Sequence, residues 1–135
     1  MTSTATKRKS SKRFAASSGS PPKHLTFYTD ECLGKQVPAA LVSAGYSVKP
    51  WYNHFAGVAD VEWLRAIGDR RWILLTRDKN IRRRPLEVEA IINAGVRAFV
   101  LTATELRGVE QSEIFVKAMP RIVRICRHRG PFVFN

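Results

Sequence analysis

Three aspartates stand where an α/β chain collects its chemistry. Asp30 ends the run Leu25-Thr26-Phe27-Tyr28-Thr29, Asp78 follows Trp72-Ile73-Leu74-Leu75-Thr76, and Asp60 opens an amphipathic stretch between them. Converging carboxylates repel one another unless a cation sits among them. Hard divalent ions such as Mg²⁺ or Mn²⁺ take such oxygens together with water and phosphate. Ions held this way activate water and stabilise the leaving oxygen in a phosphodiester displacement. Each acid also has a plainer use, because aspartates after strands form turns and cap helices. Asp60 aligns with the inward-facing Leu64 and Ile67, whereas Glu62, about 200° further round the helix, faces solvent. Glu31 directly follows Asp30, past the strand end and within reach of the same place. Glu31 is therefore a further metal candidate. Glu87 and Glu89 read as surface salt-bridge partners of Arg82 to Arg84.

The elements that must position these acids alternate. Residues 25–29, 46–51, 72–76 and 96–101 read as strands, and 132–134 as a short fifth. Residues 35–44, 60–68 and 86–94 read as helices, and a last helix begins at Thr104 or Gly108. The inward positions are Val37, Leu41 and Val42 in the first helix and Val61, Leu64 and Ile67 in the second. In the last they are Ile114, Phe115, Met119, Ile122, Val123 and Cys126, near helical spacing. Gly45 and Gly95 suit helix C-termini. Alternation of this kind predicts a parallel sheet with helices on both faces. If the strands lie in the order 2-1-3-4-5, the first and third are neighbours. Asp30 and Asp78 then stand together at the carboxyl edge, where ligands bind in such sheets.

The chain has 135 residues and a formal net charge of +12. Half of that charge comes from six bases in residues 1–24, Lys7, Arg8, Lys9, Lys12, Arg13 and Lys23, with no acid among them. Rich in Ser and Thr and poor in large apolar side chains, this stretch is expected to be a disordered basic arm ahead of one domain at 25–135. It lacks the apolar run of a secretory signal. A transit peptide or a nuclear-type basic signal has the same composition. The charge favours a polyanionic partner. Arg77, Lys79, Arg82, Arg83 and Arg84, with Lys35, form a basic rim suited to a nucleic-acid backbone. Trp51, Trp63 and Trp72 read as packing residues. Cys32 and Cys126 form neither a disulfide framework nor a metal quartet and read as buried free thiols in a reducing compartment, the cytoplasm. No apolar run approaches the roughly 20 residues of a membrane span. No Walker-type glycine loop and no zinc-like Cys/His spacing is present.

Three segments in order, Thr29-Asp30-Glu31-Cys32-Leu33, Ala59-Asp60-Val61-Glu62-Trp63-Leu64 and Leu75-Thr76-Arg77-Asp78-Lys79-Asn80, resemble the PIN domain. The nearest likeness is to the compact toxin components of VapBC-type toxin–antitoxin pairs. The tail Arg129-Gly130-Pro131-Phe132 is similar to that subgroup too. The resemblance implies a three-layer α/β/α domain with a mostly parallel four- to five-stranded sheet. It also implies Mg²⁺- or Mn²⁺-dependent cleavage of single-stranded RNA by Asp30, Asp60 and Asp78, and a cognate antitoxin as partner. PIN domains often pair, and the last apolar helix serves either an interface with a second copy or the core. Residues 32–59 hold no acid, where typical members carry a further Glu, so the resemblance makes Glu31 or Glu62 the substitute metal ligand.

Two other readings compete with a nuclease. A non-catalytic nucleic-acid-binding module of the same fold accounts for the missing Glu and the basic arm. A phosphoacceptor receiver-like domain places acids similarly but needs a lysine at the end of strand five, where Gly130-Pro131-Phe132 offers none.

Overall fold

Short apolar runs bounded by turns give five four- or three-residue strands, too short to stand alone and stable only when paired and covered. The computed structural model describes residues 22, 24–55, 57–102 and 108–134. Its strands are β1 (Thr26–Thr29), β2 (Ser47–Pro50), β3 (Ile73–Thr76), β4 (Arg97–Val100) and β5 (Phe132–Phe134). The helices are α1 (Gln36–Ser43), α2 (Asp60–Asp69), α3 (Pro85–Ala94) and α4 (Gly108–Ile125). The sheet order is β2-β1-β3-β4-β5, and every pair is parallel. The expected 2-1-3-4-5 order is therefore present, with Thr29 opposite Leu75.

Alternation along the strands creates the three layers. Phe27, Ile73, Leu75 and Phe99 point to one face, where they meet Val37 and Leu41 of α1 and Phe115, Met119 and Ile122 of α4. Tyr28, Leu74, Ala98 and Val100 point to the other, against Trp63, Leu64 and Ile67 of α2 and Ala90 and Ile91 of α3. Helix ends are sharply marked. Pro85 opens α3 at a position where its missing N–H is not needed. Gly95 closes that helix at φ 69°, a left-handed conformation that glycine adopts freely.

Some expected inward positions face out. Val42 is 56% exposed, because Val37 and Leu41 define the buried stripe of α1 and Val42 lies a further 100° round. Ile114 is likewise at the surface, while Phe115 beside it is buried. Cys126 is a buried thiol as expected, but Cys32 is exposed, since it sits in the turn beyond β1 rather than under a helix. The basic arm and the alternative helix start at Thr104 lie outside the described residues.

Close approach of α2 to α3 depends on Gly68. A Cβ there would meet the Cβ of Ala94 and sit 2.7 Å from its carbonyl oxygen. Glycine in a helix is worse than alanine by roughly 1 kcal/mol, but forcing an atom into a packed contact costs about 1–3 kcal/mol. Backbone cannot swing aside, so the second effect wins. Gly68→Ala is expected to lower the urea midpoint at unchanged slope; a higher midpoint would show that α3 yields.

Candidate active site

β1 and β3 end side by side, and their shared end is tied together by one side chain. Thr76, the last residue of β3, is fully buried. Its hydroxyl donates to Asp30 Oδ2 at 3.0 Å and accepts from the Asp78 amide at 3.0 Å. The sulfur of Cys32 lies 3.2 Å from the same hydroxyl, 3.6 Å from Asp30 Oδ2, and accepts from the Arg77 amide at 3.3 Å. Asp30 Oδ1 accepts from the Glu31 amide at 2.6 Å, which starts a short 3-10 turn. The Asp30 amide donates across to the Leu75 carbonyl at 3.1 Å, extending the β1–β3 ladder by one bond. Asp30 is thus both a turn former and a carboxylate fixed from three directions.

Asp60 is the first residue of α2, not its cap. Its Oδ1 accepts from the indole N–H of Trp63 at 2.9 Å. Asp78 takes the Asn80 amide on Oδ1 at 3.1 Å, an Asx turn. Arg84 then grips both carboxylate oxygens of Asp78, at 2.6 and 3.3 Å, and reaches Glu87 Oε1 at 3.2 Å. The expected pairing of Glu87 with the nearby arginines is therefore realised through Arg84, while Glu62 faces solvent as expected.

Charge explains how these groups titrate. Burial raises the Asp30 carboxyl above its ordinary value, Asp60 adds to this, and the hydrogen bonds from Thr76, Glu31 and Cys32 pull the other way without prevailing. Asp78 goes down, chiefly through its hydrogen bond from Arg84. Glu87 is raised by burial, with Asp60 and Asp78 adding repulsion and Arg84 opposing it. Burial and the Asp30 charge push the Cys32 thiol up to about 11, so it is a hydrogen-bonding thiol and no nucleophile. Asp30, Asp60, Asp78 and Glu87 thus form a linked set of carboxylates at one edge.

Of the basic residues expected there, Lys79, Arg82 and Arg83 are exposed in the segment just after Asp78. Arg84 is turned into the acids. Lys35 lies over the ring of Tyr52, 5.3 Å from its centroid, toward the β2 side. Glu31 is exposed, and its charge is felt at Tyr28 along with those of Asp30 and Asp60. Thr76 and Cys32 are the site residues that reading acids alone misses. The pattern Thr76-Arg77-Asp78 holds the signal for Thr76; for Cys32 only its position two residues after Asp30 offers one.

A hard divalent cation suits this donor set in kind, since its charge would offset the burial, and the lesser mutual repulsion, that raise Asp30 and Glu87. Asp30 and Asp60 are open to one. Asp78 joins only by exchanging Arg84, and no three acids, histidines or cysteines among the described residues stand close enough to share an ion.

Carboxylates brought to the carboxyl edge of an all-parallel three-layer sheet point to the class, and a family model described as PIN like domain matches residues 25–103. The chain belongs to the PIN-like domain family. It is 26% identical over 114 residues to the protein named "Putative ribonuclease VapC45" of Mycobacterium tuberculosis (strain ATCC 25618 / H37Rv), covering 80% of this chain and 83% of that one. No solved structure matches.

The raised Asp30 carboxyl gives a stability test. The folded protein binds this proton more tightly than the unfolded chain, so ionised Asp30 opposes folding above its folded pKa and ceases to do so below the ordinary aspartate range. An amide at position 30 can donate to the Thr76 hydroxyl, which then donates to Cys32. In EDTA at pH 7, Asp30→Asn is expected to raise the denaturation midpoint, with the gain fading as the pH falls through the carboxylate range. A loss of stability at pH 7 would mean that the hydrogen bonds outweigh burial.

Proposed function

We propose that this protein is a metal-dependent endoribonuclease that cuts single-stranded RNA, acting in the cytoplasm as the toxin of a toxin–antitoxin pair. The observation that supports it best is the joint between Asp30 and Asp78 through Thr76, with the charge of Asp60 felt at Asp30. The likeness to a relative named as a ribonuclease agrees with it. Bound Mg²⁺ or Mn²⁺ would supply an acidified water and charge neutralisation at the phosphate. Asp30 and Asp60 would hold the ion, Asp78 would complete the set when Arg84 moves off, and Glu31 would lie at its outer edge. Thr76 keeps the Asp30 carboxylate aimed, and Arg84 keeps Asp78 ionised and Glu87 neutralised. Lys79, Arg82 and Arg83, with Arg77 and Lys35, would carry the RNA backbone across the edge. A cognate antitoxin would act by covering the acids. A second copy of the chain is a further partner, for which the exposed Val109 and Ile114 of α4 provide apolar surface.

Arg84 also favours a second reading, a binding module that does not cut. A guanidinium that already neutralises Asp78 leaves less need for a metal, and Glu87 does not replace the Glu absent from residues 32–59 while it is held by the same group.

Cleavage of an end-labelled single-stranded RNA separates the two. The purified chain is expected to cut with Mg²⁺ or Mn²⁺ and not in EDTA. Asp30→Asn and Asp78→Asn should each lower the rate by on the order of 10²-fold or more, the scale for losing one electrostatic stabiliser. RNA bound and left intact in every metal would establish the binding module. Metal occupancy has its own readout, because Trp63 donates its indole N–H to Asp60. Paramagnetic Mn²⁺ should broaden the Trp63 indole resonance, and Asp30→Asn should abolish that effect; broadening at none of the three indoles would refute the metal assignment.

A further inference from the structure

The far end of the sheet holds a second charged feature, opposite in sign to the first. A cavity of about 500 Å³ opens where the turn before β3, the turn before β4 and the segment after α4 converge. Arg71, Trp72, Arg97, Arg127, His128 and Arg129 line it. Glycines let these segments meet: a Cβ on Gly130 would run into the carbonyl of Gly95, as one on Gly68 would run into Ala94. From Arg71 to Asp78 is seven residues along β3, or roughly 20 Å at about 3.3 Å per residue. The cavity is thus separate from the acidic edge and from the basic segment beside it.

Its charge is not used internally. Arg97 is structural, donating to the Cys126 carbonyl at 2.9 Å and to the Arg71 carbonyl at 3.3 Å. Both ion pairs between described residues belong to Arg84, so among the described residues no acid forms an ion pair with Arg71, Arg127 or Arg129. Arg71 adopts φ 60°, a left-handed conformation costly for a residue with a Cβ and easy for glycine. A cation after α4 is favourable to the helix dipole, but that effect fades within the last turn and does not call for four bases in one hollow.

We propose that this cavity is a second phosphate-binding site, which takes the backbone of an RNA away from the point of cleavage. Guanidinium forks bind phosphate oxygens in pairs. Apart from Trp72 the lining has no large apolar side chain, so an acidic protein segment would find little to anchor it. The site would hold an RNA long enough to reach both ends of the sheet. The choice of RNA rests on the proposed nuclease function; the presence of an anion site does not.

The test is fluorescence anisotropy of a long labelled single-stranded RNA in EDTA, titrated with salt, using the full chain. Each phosphate contact on a single strand contributes about 0.7 to the slope of log affinity against log salt. Arg127→Ala with Arg129→Ala should lower that slope by about 1.4. The control, Lys117→Ala with Arg124→Ala, removes equal charge from exposed positions of α4 outside the cavity and should lower it less. Equal loss in both pairs would reduce the effect to net charge and overturn the site. Polyglutamate competing as well as RNA of equal length would overturn the phosphate assignment in favour of an acidic protein. A mononucleotide that displaces no RNA yet protects the cavity arginines from a guanidine-modifying reagent would replace RNA by a free nucleotide. A slope loss specific to Arg127 and Arg129 in a protein that never cuts RNA would uphold the site and refute the nuclease. Cutting with an unchanged slope would do the reverse.

Discussion

One buried hydroxyl holds the acidic edge in register. Thr76 gives its proton to Asp30 and takes one from the backbone of Asp78, so the two carboxylate-bearing strand ends are joined by a single oxygen. That arrangement requires β1 and β3 to be parallel neighbours, because only then do Thr29 and Leu75 lie opposite, with Asp30 beside Thr76 just beyond them. The neighbouring register in turn requires crossovers that put helices on both faces, and with them the two apolar layers that cover the strands. Site and fold therefore share one constraint. The residue that carries it is neither charged nor exposed.

Around that joint the acids are treated unequally. Asp30 meets burial with three neutral donors that offset it only in part, so its carboxyl stays raised. Asp78 is relieved by a guanidinium. Asp60 has a single indole N–H. A set of carboxylates kept unequal in this way presents a graded demand for positive charge, strongest at Asp30. Arg84, with 43% of its side chain exposed, sits in a pair that solvent screens, so its hold on Asp78 is the easier one to exchange.

The strands and their alternation with helices were legible in the sequence because they follow from short-range pattern; the strand order was a condition that only the paired sheet meets. Apolar runs, glycine caps and a Thr-x-Asp step each speak within a few residues. The face of α1 was less legible: Val37, Leu41 and Val42 are all apolar, yet Val42 faces out while Val37 and Leu41 pack toward α4. Arg84 was harder still. It stands fifth in a run of like residues, and nothing local distinguishes the one that turns inward from those facing solvent. Cys32 illustrates the same limit, since its sulfur packs on Thr76 across 44 residues of chain while the rest of the residue is exposed.

Helix direction favours the acids at the carboxyl edge, where basic residues also stand beside them, and the bases after α4 at the other. In an all-parallel sheet each connecting helix runs back against the strands, so its N-terminus lies at the carboxyl edge and its C-terminus at the amino edge. The partial positive charge of helix N-termini favours anions. Asp60 and Glu87 occupy the first turns of α2 and α3, at the same edge as Asp30 and Asp78. The partial negative charge at the other ends favours cations, and Arg127 and Arg129 lie just beyond α4. The dipoles are too weak to create either cluster, at about 0.3–1 kcal/mol per favourable charge. What they do is lower the electrostatic cost of keeping like charges together at either edge. A chain with a formal charge of +12 can thereby hold four carboxylates close to one another without dispersing them among its many lysines and arginines.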